Sequence, residues 1–302
     1  MHRNKNIIRG NGISDRAFDI LANLFLGLFT LIIFYPLYFT VIASISDPDY
    51  IGLGEVVLLP KGLNFDGYIA VFQDNRIWTG YLNSFMYAIL GTFFSVSFTL
   101  ITAYPLSRAS MKGRRPIMLL FTVTMFLSGG MIPSYIVIEK LGLINTVWSI
   151  VLPSAMSAYN LIITRTFLES SIPDALYESA SIDGCGQGHF FFHILLPLSK
   201  PIIAVLVLFA VVLMWNQYLN PMLYLIDEEL YPLQVILRSI LVVNTDMSYV
   251  NMEDVEAMIE AMKLADKMKY SLIIVASLPV VCLYPLIQKH LVKGMMIGSV
   301  KE

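Results

Sequence analysis

Six long apolar stretches follow one another along the chain, and most of the charged residues lie between them. Each stretch is about 20 residues or longer, which is the length that an α-helix needs to cross the hydrocarbon core of a bilayer. Backbone polar groups must be paired within that core, so helices are the expected structure. The pattern therefore predicts an all-α polytopic membrane protein. Its six predicted transmembrane helices are Leu21–Ile45, Gly80–Leu106, Ile117–Ile138, Trp148–Leu168, Pro201–Ile226 and Tyr270–Gln288.

The composition supports a membrane-embedded chain and excludes several other classes of protein. Hydrophobic residues make up 57% of the 302 residues and charged residues only 14%, whereas a soluble domain has about 25% charged residues. A net charge of -2 offers no basic surface for nucleic acid. Cys185 and Cys282 have neither the spacing of a disulfide framework nor that of metal ligands. We therefore expect two packing cysteines, no metal site and no cofactor.

The distribution of cations predicts the side of the membrane on which each connection lies. Cytoplasmic segments are enriched in Lys and Arg, and the chain before the first span contains Arg3, Lys5, Arg9 and Arg16. The first apolar stretch is too long for a signal peptide, and no small-residue cleavage site follows it before Pro48. We expect a retained helix, and both termini are then cytoplasmic.

The connection between the fourth and fifth spans, cytoplasmic in this orientation, is polar and contains closely spaced glycines. Ser171 and Asp174 have the spacing of a capping box, Pro173 is tolerated in a first helical turn, and Gly184 can end the helix in a left-handed conformation. This pattern predicts a short helix of about three turns, a glycine joint and a second short helix. The segment can be a handle for another protein or an ordinary amphipathic connector on the bilayer.

The segment ESASIDGCGQGHFFFHILLPLSKP in this connection resembles the EAA loop of bacterial ABC-importer permeases. In that loop, a Glu-Ala-Ala-like triplet is followed by Asp-Gly and later by an Ile-x-Leu-Pro-like run. Ser179 and Cys185 depart from the pattern, because alanine is commoner at both positions. The matching residues are Glu178, Ala180, Asp183, Gly184, Ile194, Leu196 and Pro197.

The similarity extends over nearly the whole chain. TAYPLSRASMKGRR ends the second span, SGGMIPSYIV lies in the third, WNQYLNPMLYL lies in the fifth, and YPLIQKHLVKGMMIGSVK lies near the C-terminus. Together these segments resemble the carbohydrate-uptake branch of the MetI-like permeases. AYPLSR, SGGMIPSY and LYPLQVILRSIL are similar to the permeases for complex oligosaccharides and polysaccharides. The resemblance implies a multi-pass protein of the bacterial plasma (inner) membrane.

The resemblance also implies a permease subunit that forms half of the pathway of an ATP-driven oligosaccharide importer. The implied partners are a second homologous permease, two cytoplasmic ABC ATPases and an extracytoplasmic sugar-binding protein. The chain lacks a G-x-x-x-x-G-K-[ST] phosphate loop, so ATP hydrolysis is expected on separate subunits and no catalytic residue is expected here. Ala180 would allow close approach of the ATPase. The residues implied in ATPase coupling are Glu178, Ala180, Asp183, Gly184 and Pro197.

An ion-coupled secondary transporter of a small polar solute is the alternative function. Proton-coupled carriers place Asp, Glu or His inside the membrane, but Arg165 is the one charged residue in the six predicted spans, and they contain no histidine. Sodium coordinated by backbone carbonyls stays open for this alternative. A polytopic membrane enzyme would need a cluster of His, Cys, Asp or Glu at metal or nucleophile spacing, which the sequence lacks.

Aromatic and amide residues within the spans are candidates for the sugar pathway. Trp215, Asn216 and Tyr218 lie close together in the fifth span, and Asn83 lies in the second. Ring faces and amides suit a polyhydroxylated sugar, but the same residues can instead pack between helices and hydrogen-bond a neighbouring span. In the third span, Gly129–Pro133 can break the helix beside a cavity or permit tight packing.

The predicted organisation is one transmembrane domain with short cytoplasmic ends. The N-terminal segment covers residues 1–20, the six-helix domain 21–291 and the C-terminal tail 292–302; the EAA loop covers 171–201 and the outer loop 227–269. The outer loop carries an apolar stripe at helical spacing that can bind the sugar-binding protein or pack on the chain's own surface. The stripe consists of Val255, Met258, Ile259 and Met262.

Overall fold

A computed structural model describes residues 13–242, 265–282 and 285 of the chain. Within these residues the fold is all-α, as predicted. A π-helical turn covers Phe191–Leu195, and a 3-10 turn covers Glu228–Leu230. In chain order, the helices are α1 (Ile13–Ser44), α2 (Pro48–Gly52), α3 (Asp66–Gln73), α4 (Asn75–Ser107), α5 (Arg114–Phe126), α6 (Met131–Lys140), α7 (Trp148–Val151), α8 (Ala158–Ser171), α9 (Asp174–Ile182), α10 (Gln187–Phe190), α11 (Leu196–Leu198), α12 (Lys200–Trp215), α13 (Leu219–Tyr224), α14 (Leu233–Val242) and α15 (265–282).

The first two predicted spans are continuous helices. In α1, the most apolar 18-residue window of Ala17–Ser44 has a mean hydropathy of 2.2, and none of that window is buried in this chain. The corresponding window of the 33-residue helix α4 has a mean hydropathy of 1.7. It is the central helix, because α8, α12 and α14 all pack against it. Gly91 permits one of these contacts, since a Cβ there would lie only 2.5 Å from Met214 Cε of α12.

The third, fourth and fifth predicted spans are interrupted. The third consists of α5 and α6, which are bent by 118° relative to each other. The fourth consists of α7 and α8 with residues 152–157 between them, and the fifth consists of α12 and α13. Of the described helices, two are long and apolar enough to cross a membrane alone. The number rises to four if two bent pairs each count as one span: α5 with α6, and Gln187–Leu198 with α12. The sixth predicted span is described only as far as α15 and residue 285.

Each interruption has a local cause. Gly130 precedes α6 with a φ of +83°, a conformation that glycine adopts readily. The helix is therefore interrupted at Gly129 and Gly130, whereas Pro133 lies inside α6; the cavity beside this break stays a prediction. Ser157 is the N-cap of α8, and its hydroxyl accepts a hydrogen bond from the Asn160 amide. At the end of α12, the backbone amide and the Nδ2 of Asn216 both donate to the carbonyl oxygen of Val212, at 3.2 and 2.8 Å. The Ser157 side chain thus satisfies a backbone group at the start of α8, and the Asn216 side chain adds a second bond at the end of α12.

Two hydrophobic clusters lie at opposite ends of α4, whose 33 residues extend over about 50 Å. The first, which we term the α14 end, contains Ile77 from the start of α4 together with residues of α12, α14 and α15. The second, the α9 end, contains Ala103 and Leu106 from the last turns of α4 together with residues of α5, α8, α9 and α10. The central helix therefore links the segment that resembles an EAA loop to the far end of the molecule.

The start of α9 differs from the prediction. Ser171 is the last residue of α8, and α9 begins at Asp174 with Pro173 as an N-cap that makes no side-chain hydrogen bond. The predicted capping box is therefore wrong. Steric clash with a proline disfavours helical backbone in the residue before it, and Ile172 has φ -125° and ψ 88°. Pro173 thus separates two helices instead of lying inside the first turn of one.

Candidate functional site

Helix α9 presents one face to solvent and the other to the chain's own core. Glu178 and Asp183 are exposed. Ala180, in contrast, is only 9% exposed and belongs to the hydrophobic cluster at the α9 end. The expectation that Ala180 faces an approaching partner is therefore corrected, because a helix of 9 residues that packs on a core must turn one stripe inward. Its small side chain lets α9 lie close to this core.

Gly184 ends α9 in a left-handed conformation, as predicted. Its φ is +78°, its amide donates to the carbonyl oxygen of Ser181 at 3.1 Å, and the Cys185 amide donates to Ala180 O at 2.9 Å. These bonds satisfy carbonyls that the helix end leaves free. No atom lies within 4 Å of the position that a Cβ would occupy. Within this chain, glycine is thus required by backbone conformation and not by lack of space.

Ile182 is a residue of this surface that the sequence reasoning missed. Its side chain is 86% exposed, although α9 has an apolar core beside it. The sequence did carry a signal, because Ile182 follows Glu178 by four residues, and residues four apart lie on the same face of a helix. The exposed face of α9 therefore combines two carboxylates with one large apolar side chain. An apolar side chain with polar residues around it can form the centre and the rim of a protein-binding surface.

The predicted second short helix is present but is divided into α10, the π-helical turn and α11. Phe190 and Leu195 are fully buried and anchor it to the core. Pro197 lies in α11 and is exposed. The rod Gln187–Leu198 then meets α12 at 79°. The segment 174–198 and the fifth span are therefore joined at a sharp bend, and the segment packs on the cluster at the α9 end.

Arg165, the charged residue within a predicted span, forms an ion pair with Glu169 at the α9 end. Its Nη2 lies 2.6 Å from Glu169 Oε1, and its Nε donates to the carbonyl oxygen of Leu106 at 3.1 Å. Arg114 of α5 pairs with the same Glu169 oxygen at 3.2 Å. These contacts tie α5, α8 and the end of α4 together, so Arg165 has a structural role here.

Of the four predicted pathway residues, Trp215 and Asn83 have packing roles within this chain. Trp215 is 3% exposed, and its Nε1 donates to the carbonyl oxygen of Ala276 in α15 at 3.1 Å. Asn83 Nδ2 donates to the carbonyl oxygens of Glu229 and Tyr231 at 2.6 and 3.0 Å. Both observations favour the packing interpretation that the sequence left open.

Asn216 and Tyr218 are exposed, and they lie where two interrupted spans meet. Gln217 Nε2 donates to Ser154 Oγ at 2.9 Å, which joins the break in the fifth span to the break in the fourth. Gln217 Oε1 is buried without a hydrogen-bond partner. Inside a bilayer, non-helical backbone is tolerated only where protein buries it or where it lines a water-filled cavity. The residues 152–157 and 216–218 are therefore the best candidates in the described chain for a polar pathway.

A cation lies next to this candidate pathway. The Arg238 guanidinium of α14 is 5.2 Å from the centroid of the Tyr218 ring, a cation–π distance. Arg238 is exposed, and no carboxylate of the described residues is within ion-pair distance of it. The sequence reasoning assigned Arg238 only to the outer loop, because 20 residues separate it from Tyr218 and nothing in the pattern brings them together.

The described residues contain no group of three or more His, Cys, Asp or Glu side chains that could hold a metal ion. Cys185 and Cys282 are not joined to each other. The apolar stripe predicted in the outer loop, from Val255 to Met262, lies outside the described residues. So do residues 1–12 and 286–302, which include most of both predicted cytoplasmic ends.

Known proteins similar to this chain match it over almost its whole length. The polygalacturonan/rhamnogalacturonan transport system permease protein YtcP of Bacillus subtilis (strain 168) is 39% identical over 290 residues, which cover 96% of this chain and 100% of YtcP. Protein LplC of the same organism is 36% identical over 291 residues, covering 96% of this chain and 97% of LplC. No protein-family model matches the chain.

A solved structure is similar as well. One chain in the crystal structure of a bacterial ABC transporter involved in the import of the acidic polysaccharide alginate superposes on this chain with a TM-score of 0.83. The two chains are 32% identical, and the match covers 92% of this chain and 98% of the other. The chain therefore shares its overall fold with a chain of an ABC importer.

Proposed function

The chain belongs to the family of permease subunits of carbohydrate ABC importers, and we propose that it forms half of the translocation pathway of an importer for oligosaccharides. Its similarity to YtcP over 96% of its length carries this proposal. As a permease subunit the chain is a multi-pass membrane protein and not an enzyme, and ATP hydrolysis lies on separate subunits. An ion-coupled secondary transporter is not favoured by these relatives.

The working complex contains a second homologous permease, two cytoplasmic ABC ATPases and an extracytoplasmic sugar-binding protein. The segment 171–201 is the EAA loop, and it binds an ATPase through the exposed face of α9. Glu178, Asp183 and Ile182 supply that face. Gly184 sets the direction of the chain after α9, and Pro197 lies in α11 at the end of the segment. This assignment is supported by the exposure of the three side chains, whereas Ala180 holds α9 on the core from below.

Six membrane crossings with both termini in the cytoplasm complete the proposed topology. The interrupted pairs α5–α6, α7–α8 and α12–α13 each count as one crossing, and α15 is the last. Cysteine labelling tests this arrangement at Gly113, which is exposed, and at Asn64, which is partly exposed. In a background without native cysteines, Gly113→Cys should react with an impermeant maleimide only after the membrane is opened, and Asn64→Cys should react in intact cells. Reaction of both positions from one side would contradict six crossings.

The sugar passes the breaks in the fourth and fifth spans. Asn216, Gln217 and Ser154 supply amide and hydroxyl groups there, and Tyr218 supplies a ring face. Hydrogen-bonding groups and one aromatic surface are what a polyhydroxylated ring requires for binding without tight retention. Trp215 holds α12 against α15 beside this point instead of contacting the sugar.

The substrate is an oligosaccharide that carries carboxylates. The positions of Arg238 and Tyr218 support this class, because an exposed guanidinium without a carboxylate partner in the described chain can bind a uronate carboxylate through charge-assisted hydrogen bonds. The names of two similar proteins point the same way: one is a polygalacturonan/rhamnogalacturonan permease, and the other belongs to an importer of the acidic polysaccharide alginate. Oligogalacturonate is accordingly the probe of choice.

Reconstitution with the partner permease, the ATPases and the binding protein tests the function. Liposomes that contain ATP should accumulate labelled oligogalacturonate when the binding protein is present, and a neutral oligosaccharide of equal length should accumulate more slowly. Arg238→Gln should lower oligogalacturonate uptake by about tenfold, the factor that corresponds to 1.4 kcal/mol. Uptake that needs an ion gradient and no ATP would contradict the importer, and equal uptake of both sugars would contradict the substrate class.

A further inference from the structure

Arg108 is a buried cation at the end of the central helix. It is the C-cap of α4, and its amide donates to the carbonyl oxygen of Pro105 at 3.0 Å. Its side chain is only 11% exposed, and its Nε is buried without a hydrogen-bond partner. A cation in such a place is costly unless its surroundings compensate for the water that it loses.

Three aromatic rings and one carboxylate provide that compensation, and they come from three different helices. The Arg108 guanidinium carbon lies 5.2 Å from the ring centroid of Tyr104 in α4, 4.9 Å from that of Tyr177 in α9 and 5.1 Å from that of Phe190 in α10. Asp174 Oδ1, in the first turn of α9, lies 3.2 Å from Arg108 Nη1. The contact therefore joins the central helix to both halves of the EAA loop.

Gln187 keeps two of these rings in place. Tyr104 Oη donates to Gln187 Oε1 at 2.8 Å, and Gln187 Nε2 donates to Tyr177 Oη. The three rings form a cage around Arg108. Two of them, Tyr104 and Tyr177, are held by Gln187 as well as by the guanidinium. In contrast, Asp174 is 57% exposed, so water can reach the carboxylate side of the ion pair. The aromatic side of the contact is fixed by these hydrogen bonds, whereas the ion pair with Asp174 can break and form again.

A merely structural contact would not need a charge at this position. Buried ion pairs contribute little net stability compared with apolar residues of similar volume, although removing one partner is destabilising. Cation–π contacts are directional, so a caged guanidinium fixes where α9 and α10 lie relative to α4. Among the described residues, Arg108–Asp174 is the one ion pair that α9 makes, and it joins α9 to the C-cap of the central helix.

The other end of α4 is packed too tightly to absorb a displacement. A Cβ at Gly80 would lie 2.5 Å from Ile236 Cδ1 and 3.1 Å from Leu233 Cα of α14. A displacement of the last turn of α4 is therefore carried along a single helix to α14, whose Arg238 contacts Tyr218. Because α9 contacts the end of α4 through Arg108, a displacement of α9 displaces α4 at this residue.

We infer that Arg108 is a positioning residue that passes movement of the EAA loop to the central helix α4. This inference rests on the proposed function, because the movement is that of an ATPase bound to α9. Closure of the ATPases displaces α9, the Arg108 cage moves with it, and α4 follows. Arg108 contacts neither sugar nor nucleotide in this scheme, so its loss changes coupling and not binding.

The test compares three variants in the reconstituted complex. Arg108→Met fills the cage with an unbranched apolar side chain and removes the charge, Asp174→Asn removes the charge of the exposed partner, and the double variant removes both. The matched control is Arg114→Met, which breaks the Arg114–Glu169 pair at the same end while Arg165 still satisfies Glu169. For each variant we would measure co-purification of the ATPases, basal ATP hydrolysis, stimulation by loaded binding protein, and uptake.

Arg108→Met should assemble and hydrolyse ATP at the basal rate, but stimulation and uptake should fall by about tenfold, a typical coupling between distant sites. Asp174→Asn should have a smaller effect in the same direction, and the double variant should be no worse than Arg108→Met. The control should change uptake by less than about twofold, as for other exposed pairs. Arg108→Lys should restore part of the stimulation, because it returns the charge.

Two results would overturn the inference. One is normal stimulated hydrolysis in Arg108→Met, and the other is an uptake defect fully explained by loss of assembled complex in both Arg108→Met and Asp174→Asn. The wild-type complex separates this outcome from failure of the proposed function. If wild-type protein does not bind the ATPases or respond to the binding protein, the function itself is wrong, whatever the variants do.

Discussion

The two ends of the central helix α4 are held by different kinds of interaction. At the α14 end, neutral side chains bind backbone: Asn83 donates to two carbonyls, Tyr87 Oη donates to Leu230 O at 2.8 Å, and Ser84 Oγ accepts from the Leu233 amide at 2.9 Å. At the α9 end, the buried Arg108 cation and its rings join α9 and α10 to α4, and Arg165 and Arg114 pair with Glu169. Neutral hydrogen bonds to backbone therefore hold the α14 end, whereas cations make the polar contacts at the α9 end.

Two residues with positive φ show the same contrast. Asn145 has φ +60°, and its side chain clamps the segment before α14: Oδ1 accepts from the amides of Ile226 and Asp227, and Nδ2 donates to Asp227 Oδ2 at 2.7 Å. Gly184 has φ +78°, and no atom surrounds its missing Cβ. One left-handed residue is locked within the chain, and the other is left open at the surface where a partner is proposed.

The difference indicates which end is complete on its own. The α14 end satisfies its polar groups internally, so we expect its shape to be largely independent of partners. The α9 end leaves Glu178, Ile182 and Asp183 exposed, where another protein can cover them. Substitutions at the two ends should therefore separate loss of coupling from loss of stability.

The largest effect is expected for Gly184→Val. A β-branched residue at this φ is strained by roughly 1 kcal/mol or more, and the strain is relieved by changing the direction of α9. The complex should insert and pair with the second permease but lose most sugar-stimulated ATP hydrolysis and uptake, measured in vesicles. Glu178→Ala should be milder, because it removes one polar contact without altering the backbone.

Gly186→Val is the matched control for Gly184→Val. Gly186 has φ -71°, and its Cβ position is equally empty, so valine fits there without strain. Normal uptake in Gly186→Val together with loss in Gly184→Val would assign the effect to backbone conformation. Full coupling in Gly184→Val would mean that the segment is only a connector on the bilayer.

The next largest effect is expected for Ile182→Asn. Burial of this side chain against an ATPase would make it an interface anchor, and truncating an anchor typically costs more than about 1 kcal/mol, which is at least about a fivefold loss of affinity. Titration of purified ATPase onto detergent-solubilised complex measures this. Ile182→Leu keeps the apolar volume and should bind normally. Equal binding by both variants would remove Ile182 from the interface.

Asn145→Ala should reduce stability without uncoupling the transporter. The variant loses three side-chain hydrogen bonds and keeps a strained φ, a combined cost of about 2 kcal/mol. Thermal unfolding of the purified complex should occur at a lower temperature, while ATP hydrolysis per folded complex stays stimulated. Asn145→Gly relieves the strain and should recover part of the loss. Uncoupling without destabilisation would contradict the distinction between the two ends.

The smallest effect is expected for Asp74→Asn, just before α4 at the α14 end. The hydrogen bonds from Arg76 hold the pKa of the Asp74 carboxyl below its usual value of 3.8. The charge therefore contributes stability above that value, and this contribution is lost as pH falls through the lower folded-state pKa. Asparagine still caps the helix, so the unfolding temperature should drop slightly at pH 7, by the equivalent of about 0.5 kcal/mol. The difference from wild type should narrow below about pH 4; a difference independent of pH would exclude the charge as its cause.

The sequence alone determined the class of fold and the type of segment at the α9 end. Apolar stretches of bilayer length leave helices as the structure that pairs every backbone group, and the described helices follow five of those stretches and part of the sixth. Gly184 was correctly expected to be left-handed, because that requirement is local and involves only the residues of one helix end. The breaks near Gly129 and Gly130 were foreseeable for the same reason.

The tertiary structure alone decided which side chains face a neighbour. Trp215 and Ala180 turned inward, Ile182 turned outward, and Arg108 met three rings and a carboxylate from elements up to 82 residues away in the chain. Helical periodicity places residues on a face but does not say which other helix covers that face. The contacts between Gln217 and Ser154 and between Arg238 and Tyr218 depend on how α4, α8, α12 and α14 pack together. Such packing is set by the sum of many small contacts over the whole chain, which no short segment contains.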